Sequence, residues 1–306
     1  MSDFESKLAI VCHDAGGAEI LSSYIKQQDI NPYYCIEGPA LGIFERKLGV
    51  VKPIPLDSAM AQAECFLCGT SWQSDLEWRV FEMARKMKKK TVAFLDHWVN
   101  YQERFIRNGV RHLPDEIWVG DSYAKEIATE EFPEIPVTLV SNPAFEDIRN
   151  QFQKIIIDDA PEGKGVGVLF LSDNLGEAML KIHGDQRHLG YTDFDTLTYL
   201  IENIDVLGEA VSKITIRPHP SESAEKYRWA KEQYKGLVEI GGREALLEEI
   251  AQNKIVVGGD SMAMVVALLC KKRVISCIPP GGKGYSLPYD EIQKLQELIA
   301  ATDVRY

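Results

Sequence analysis

Short apolar runs rich in β-branched residues alternate with helical stretches along the whole chain, and this alternation restricts it to parallel sheets covered by helices. The apolar runs end abruptly in polar and turn-forming residues. The two clearest are Lys213-Ile-Thr-Ile-Arg-Pro-His-Pro-Ser-Glu222 and Ile255-Val-Val-Gly-Gly-Asp-Ser-Met-Ala-Met264. The first ends on a histidine held between two prolines. The second ends on Gly-Gly-Asp-Ser and runs straight into a helix. A rigid imidazole beside a helix start with free N–H groups suits a phosphate.

The pattern predicts strands over 8–12, 65–68, 91–95, 116–119 and 137–140. Helices are expected over 18–27, 75–88 and 122–130, and a polar helix up to about 154. Residues 158–165 hold turn formers and charges without apolar period, so they are the expected linker. A second series of strands follows at 166–171, 213–216, 254–257 and 273–278. Its helices are expected over 193–203, 243–251 and 261–269. The expected fold is α/β, two facing Rossmann-like domains with a ligand cleft between them at the carboxyl ends of the strands. The boundaries are 1–157 and 166–306, with the last helix free to pack back on the first domain.

Composition removes several classes. With 306 residues the chain is comfortable for two domains. A net charge of −12 argues against a nucleic-acid partner, which needs a basic surface. The densest basic run, 85–90, closes an expected helix and complements its dipole. No apolar stretch reaches the ~20 residues that span a bilayer. The N-terminus shows no signal-peptide pattern, so a cytoplasmic location is expected. The cysteines lie in apolar contexts and read as buried small side chains. Cys65-Phe-Leu-Cys68 has metal-like spacing but no second pair to complete a zinc site, and no metal is expected.

Most polar signals fall at strand ends. His13, Asp14, Gly16 and Gly17 follow the first strand, as an approach loop with an acid or base beside it; Asp14 reads equally as a turn former. The full dinucleotide fingerprint is missing, so no nicotinamide cofactor is expected. Thr70 and Ser71 follow the strand at 65–68. Asp96 and His97 follow Leu95, with Trp98 and Tyr101 offering flat faces suited to sugars; the alternative is a packing segment. Asp96 is the expected base. Ser172 follows Leu171. His219, with Arg217 beside it, is a phosphate donor or a turn histidine. Gly259, Asp260 and Ser261 form a close-approach turn and a helix cap with room for an anion. Lys283, in the loop 279–285, is carried to a phosphate if that loop is a lid.

These residues resemble the GT-B-fold group, which includes sugar-nucleotide glycosyltransferases and non-hydrolysing 2-epimerases. Val140-Ser-Asn-Pro143 resembles the segment that closes their first domain. Arg217-Pro-His-Pro220 is similar to the His-Pro motif of bacterial sialyltransferases and glycerol-phosphate polymerases. Gly259-Asp-Ser261 resembles their Asp-Ser motif before the phosphate-binding helix. The resemblance implies that His219 and Ser261 hold the donor phosphate. The acid–acid–Gly base motif of the sialyltransferases has no counterpart, so Asp96 or Asp14 takes that role. The implied activity is transfer of a sugar from a nucleotide donor to a glycan or small hydroxyl acceptor, in surface polysaccharide or glycoconjugate synthesis. The second domain would bind the donor; the first would bind the acceptor and supply the base. No further cofactor is expected, and a homodimer is compatible with this reading. The alternatives are a nucleotide-sugar 2-epimerase or hydrolase, and a non-catalytic nucleotide-sugar binding protein.

Overall fold

A computed structural model describes residues 7–156 and 165–303. The linker expected at 158–165 therefore lies, except for Gly165, outside the described residues. The chain divides into two compact units, Met1–Asp147 and Ile148–Tyr306.

In the first unit the strands are β1 (Leu8–Cys12), β2 (Tyr33–Ile36), β3 (Cys65–Cys68) and β4 (Lys90–Leu95). A small antiparallel hairpin follows, β5 (Ile106–Arg107) with β6 (Val110–Arg111), and then β7 (Glu116–Val119) and β8 (Val137–Leu139). The helices are α1 (Ala15–Gln28), α2 (Ala40–Leu48), α3 (Leu56–Gln62), α4 (Leu76–Met87) and α5 (Ser122–Glu131); α6 (Pro143–Phe152) runs across the boundary. The main sheet is wholly parallel in the order β2-β1-β3-β4-β7-β8. Both faces are covered, so β1 and β3 are buried at every residue and carry no polar alternation. All six cysteines are free and buried, Cys65 and Cys68 among them.

The second unit starts with β9 (Val166–Leu171), α7 (Leu175–His183), α8 (Asp193–Glu202), β10 (Val211–Arg217), α9 (Arg228–Gln233) and β11 (Val238–Ile240). It continues with α10 (Leu246–Gln252), β12 (Ile255–Gly258), α11 (Met262–Leu269), β13 (Arg273–Ser276), β14 (Gln293–Lys294) and α12 (Leu295–Asp303). This sheet is also parallel, in the order β11-β10-β9-β12-β13-β14. Its core gathers Val168, Phe170, Leu197, Ile214, Tyr227 and Val257, and α12 adds Leu295. The last helix thus contributes to the core of the second unit.

Both units are doubly wound. The second has the Rossmann strand order; the first has the flavodoxin-like order, extended by one strand. Where strand order reverses, the two neighbouring connections leave in opposite directions and open a crevice above the carboxyl ends. That point lies between β1 and β3 in the first unit and between β9 and β12 in the second. Among the described residues no helix is long and apolar enough to cross a membrane.

The structure corrects two local expectations. Helix α10 begins at Leu246 and not at residue 243, so Arg243 lies in the loop before it. Helix α1 begins at Ala15, not at Ala18, so Gly16 and Gly17 belong to its first turn instead of a loop. Glycines weaken helices, so the sequence reads as a turn here. Close packing demands them nonetheless. A Cβ on Gly17 would come within 3.1 Å of Gly69 Cα, and one on Gly16 within 1.9 Å of Asp96 Oδ2.

Candidate functional site

At the reversal point of the first unit, the turn after β1 puts His13 and Asp14 side by side. His13 Nδ1 and Asp14 Oδ1 are 2.7 Å apart. Asp14 stands at the N-cap position of α1, yet its side chain makes no cap bond; it turns to the imidazole instead. The backbone N–H of His13 donates to Glu77 Oε1 at 2.8 Å. Glu77 is buried in the first turn of α4, and its Oε2 has no partner. Burial pushes its carboxyl up to about 7, and the negative charge of Asp14 adds to this, while the N–H donors oppose it. Burial also holds the Cys12 thiol well above its ordinary range, so Cys12 is inert.

Beyond the neighbouring β3, Asp96 directly follows β4 and accepts from Arg104 Nη1 at 2.5 Å. Arg104 Nη1 also donates to Thr70 Oγ1 at 2.6 Å. The pair is buried, so a guanidinium links the loop after β3 to the loop after β4. Asp96 Oδ2 lies over Gly16. His13, Asp14, Gly16, Gly17, Thr70 and Asp96 therefore converge, as their positions at strand ends suggest, and Glu77 and Arg104 join them.

Other expected residues are turned to different duties. Ser71 is buried, and its hydroxyl accepts from Gln73 N–H and Ser74 N–H, closing the loop. His97 Nδ1 accepts from the Trp98 backbone N–H at 3.0 Å. Trp98 is buried with its indole N–H donating to Asp121, so its ring packs and offers no free face. Tyr101 is buried as well, stacked on Phe132.

In the second unit, His219 is exposed at the end of the β10 loop. Its Nδ1 accepts from the Ser221 backbone N–H at 3.2 Å. Nδ1 also lies 2.7 Å from Ser221 Oγ; with Nδ1 as the acceptor in both contacts, the neutral ring carries its proton on the exposed Nε2 side. Glu222 fixes the turn by accepting from His219 N–H at 2.8 Å. Ser221 Oγ accepts from Asn174 Nδ2 at 2.8 Å. The neighbouring Asp173 accepts from Asp260 N–H at 3.0 Å. Gly259 is required here, because a Cβ would come within 2.3 Å of Asp173 Oδ2. A continuous bonded path thus joins the His-Pro turn to the Gly-Asp-Ser turn through Asn174 and Asp173, over the reversal point.

Asp173 Oδ1 is buried and has no partner. Burial pushes this carboxyl up to about 6; the charges of Asp193 and Asp260 add to that, and the Asp260 N–H and the adjacent Ser261 hydroxyl oppose it. Ser261 lies beside the carboxyl, but its buried hydroxyl is not in hydrogen-bonding geometry. It occupies the N-cap position of α11 with extended backbone and its side chain does not cap the helix; Met264 N–H donates to Ser261 O at 3.0 Å, and the N–H groups of Met262 and Ala263 are left for another acceptor. Asp260 accepts from Ser286 N–H and Ser286 Oγ, both at 2.8 Å, and from Leu287 N–H at 3.2 Å. The loop carrying Lys283 is therefore tied down, and Lys283 N–H itself donates to Leu189 O at 2.9 Å.

Ser172 and Arg217 are committed within the fold. Ser172 Oγ shares a hydrogen bond with Tyr227 OH, and Arg217 Nη1 donates to Glu249 Oε2 at 2.6 Å. A residue the strand-end pattern missed, Asp193, fills the start of α7. It accepts from Leu175 N–H at 2.7 Å and Gly176 N–H at 3.1 Å, and pairs with Lys226. The start of α7 thus holds one of the chain's own carboxylates, whereas that of α11 is open. Among the described residues no group of three or more His, Cys, Asp or Glu side chains is arranged to hold a metal ion.

No family profile and no curated protein sequence matches the chain. Solved structures do. The UDP-GlcNAc 2-epimerase of Methanocaldococcus jannaschii superposes with a TM-score of 0.60 at 14% identity, over 97% of this chain and 92% of the other. The UDP-GlcNAc 2-epimerase of Neisseria meningitidis, solved with UDP-GlcNAc bound, gives 0.56 at 13% identity, over 98% and 92%. The glycosyltransferase of kitacinnamycin gives 0.55 at 11% identity, over 97% and 84%. At such identities the likeness is one of fold, and the chain has the GT-B fold of these enzymes: two doubly wound units in one chain.

Proposed function

We propose that the protein is a glycosyltransferase that takes a sugar from a nucleotide donor and gives it to a hydroxyl acceptor. The observation that carries this reading is the bonded path from His219 to Ser261. It lines up an exposed imidazole N–H donor and an uncapped helix start along one sheet edge. Both are complementary to the negative charge that develops on a departing nucleoside diphosphate.

The first unit supplies the acceptor side. In this reading His13 is the base: Nδ1–H donates to Asp14 Oδ1, and Nε2, which lies against Gly38, carries the lone pair that takes the proton. Asp96, the base expected from sequence, has Oδ1 on Arg104 and Oδ2 against Gly16, and we give it the role of holding Arg104 and Thr70. In the reaction the acceptor O–H proton passes to His13 Nε2. The acceptor oxygen bonds to the anomeric carbon, the bond from that carbon to the diphosphate oxygen breaks, and the diphosphate leaves with the electron pair.

The test is a panel of nucleotides and nucleotide sugars scored by thermal shift and calorimetry, since a ligand selective for the native state raises its apparent stability. His219→Ala is expected to weaken the selected nucleotide by about 1–3 kcal/mol, the range for a hydrogen bond to a charged group, with the fold intact. Unchanged affinity would place the nucleotide elsewhere. A second reading, 2-epimerisation, draws on the likeness to two UDP-GlcNAc 2-epimerases over nearly the whole chain. Incubating the nucleotide sugar in deuterated water without acceptor separates the two. Deuterium at C2 with formation of the epimer would replace transfer by epimerisation.

A further inference from the structure

A pocket of about 560 Å³ opens in the second unit between α9 and the end of β11, lined by Ala224, Ile240, Gly241 and Gly242 and by several charged residues. That volume falls within the roughly 300–1,000 Å³ of small-molecule sites and exceeds what one phosphate would fill. Its charged lining is Glu225, Arg228, Lys231, Glu232, Lys235 and Arg243. Both carboxylates are spent on one cation. Arg228 pairs with Glu232 at 2.9 Å and with Glu225 at 3.5 Å. Lys231, Lys235 and Arg243 are exposed, and none of them pairs with a carboxylate among the described residues. They come from three places: Lys231 from α9, Lys235 from the turn after it, and Arg243 from the loop after β11.

A concentration of unpaired positive charge is unusual in a chain of net charge −12. Elsewhere in this unit Lys213, Lys226, Lys254 and Arg217 are each held by a carboxylate, and Lys181, Lys271 and Lys283 are not, among the described residues; what sets Lys231, Lys235 and Arg243 apart is that they line one pocket. Like charges brought together around a concavity repel one another, and an anion between them relieves that repulsion. The wall formed by Gly242 meets Pro218, so the pocket borders the sheet edge that carries His219. Gly242 adopts φ +83°, which brings the chain past this wall without a side chain over the opening.

The geometry points to this pocket as a binding site for an oligoanion, a chain bearing several carboxylate or phosphate groups, gripped by Lys231, Lys235 and Arg243. This ligand is separate from the nucleotide proposed for His219 and Ser261, and the inference does not depend on the transfer reaction. A nucleic acid is disfavoured, because the patch is small and the rest of the surface acidic.

Calorimetric titration of the full chain with oligogalacturonate and with tripolyphosphate tests it, with maltoheptaose as the neutral control. At least one anion is expected to bind, more weakly as sodium chloride rises from 50 to 300 mM, because exposed charges are screened. Binding of oligogalacturonate alone assigns a carboxylated glycan; binding of tripolyphosphate alone assigns a phosphate-bearing ligand. The triple variant Lys231→Ala/Lys235→Ala/Arg243→Ala is expected to lose about tenfold or more in affinity, from three modest surface charge contacts. Its far-ultraviolet circular dichroism should match wild type, and Lys231→Glu alone serves as a milder second variant. His219→Ala should leave oligogalacturonate affinity unchanged, and tripolyphosphate binding that is lost in His219→Ala but kept in the triple variant would belong to the His219 site and count against this one. Failure of both anions to bind, equal binding by the triple variant, or equal loss in His219→Ala would each overturn the assignment.

Discussion

The carboxyl of Glu77 titrates near neutrality because it is buried and only one of its oxygens has a hydrogen-bond donor from another residue. Its folded value of about 7 lies above the ordinary 4.5, so the folded state binds the proton more tightly than the unfolded chain does. That contribution to stability is complete below pH ~4.5 and is lost as pH rises through about 7. A shift of this size is worth roughly 3 kcal/mol. Glutamine keeps an acceptor for His13 N–H and does not titrate. Glu77→Gln should therefore gain stability relative to wild type between pH 5 and pH 8, measured by urea unfolding at both. An unchanged difference would mean that Glu77 does not take up a proton in that window. Gly16 makes a steric prediction at the same site. A Cβ there meets Asp96 Oδ2, which Arg104 holds in place, so Gly16→Ala should cost about 1–3 kcal/mol despite the better helix propensity of alanine. Urea unfolding reads this too, and a stabilised variant would contradict the packing.

At the scale of elements, Asp193 ties α8 to the start of α7 and to Lys226. Asp193→Ala removes two N–H acceptors and leaves Lys226 with Glu222 as its remaining partner. A cost of about 2–4 kcal/mol is expected, from a broken buried pair and orphaned donors. Hydrogen exchange should quicken first in α7, and uniform acceleration across the second unit would argue against a local tie. The elements themselves were largely legible from the sequence. Buried parallel strands such as β1, β3, β9 and β12 are short apolar runs ending in polar residues, and they stand where the pattern puts them. The strands β2 and β11 were not: Tyr33–Ile36 is half exposed at an edge, and Val238–Ile240 is too short to show a period. The site was legible in part. His13, Asp96, His219 and Asp260 declare themselves at strand ends. Glu77 left a weaker signal, a carboxylate on the buried stripe of α4 with Val80, Phe81 and Ala84. Asp193 left none, because its partners Leu175, Gly176 and Lys226 are distant in sequence. The commitments of Ser172, Arg217 and Trp98 are tertiary as well, and no local pattern reveals them.

For the whole molecule, the consequence to test is how the charge of the leaving diphosphate is neutralised. In the transfer reaction proposed above, that charge is met either by a divalent cation held on a carboxylate pair or by the protein's own donors. The second unit does bring two carboxylates together, Asp173 and Asp260, although they are distant in sequence. Both are engaged, although Asp173 Oδ1 is buried without a partner. Asp260 has both oxygens on the loop at Ser286 and Leu287, and Asp173 has Oδ2 on the Asp260 N–H and a carboxyl raised to about 6 by burial. What faces the expected diphosphate is the Nε2–H of His219 and the open start of α11. Turnover of the nucleotide sugar found in the ligand panel should therefore persist in excess EDTA. His219→Ala should slow it in the presence and absence of Mg²⁺ alike. Activity that vanishes in EDTA and returns with Mg²⁺ or Mn²⁺ would show that Asp173 and Asp260 leave their present partners to hold a metal. In that case Asp260→Asn, which keeps the tie to Ser286 but lowers the charge, should cost more activity than His219→Ala does.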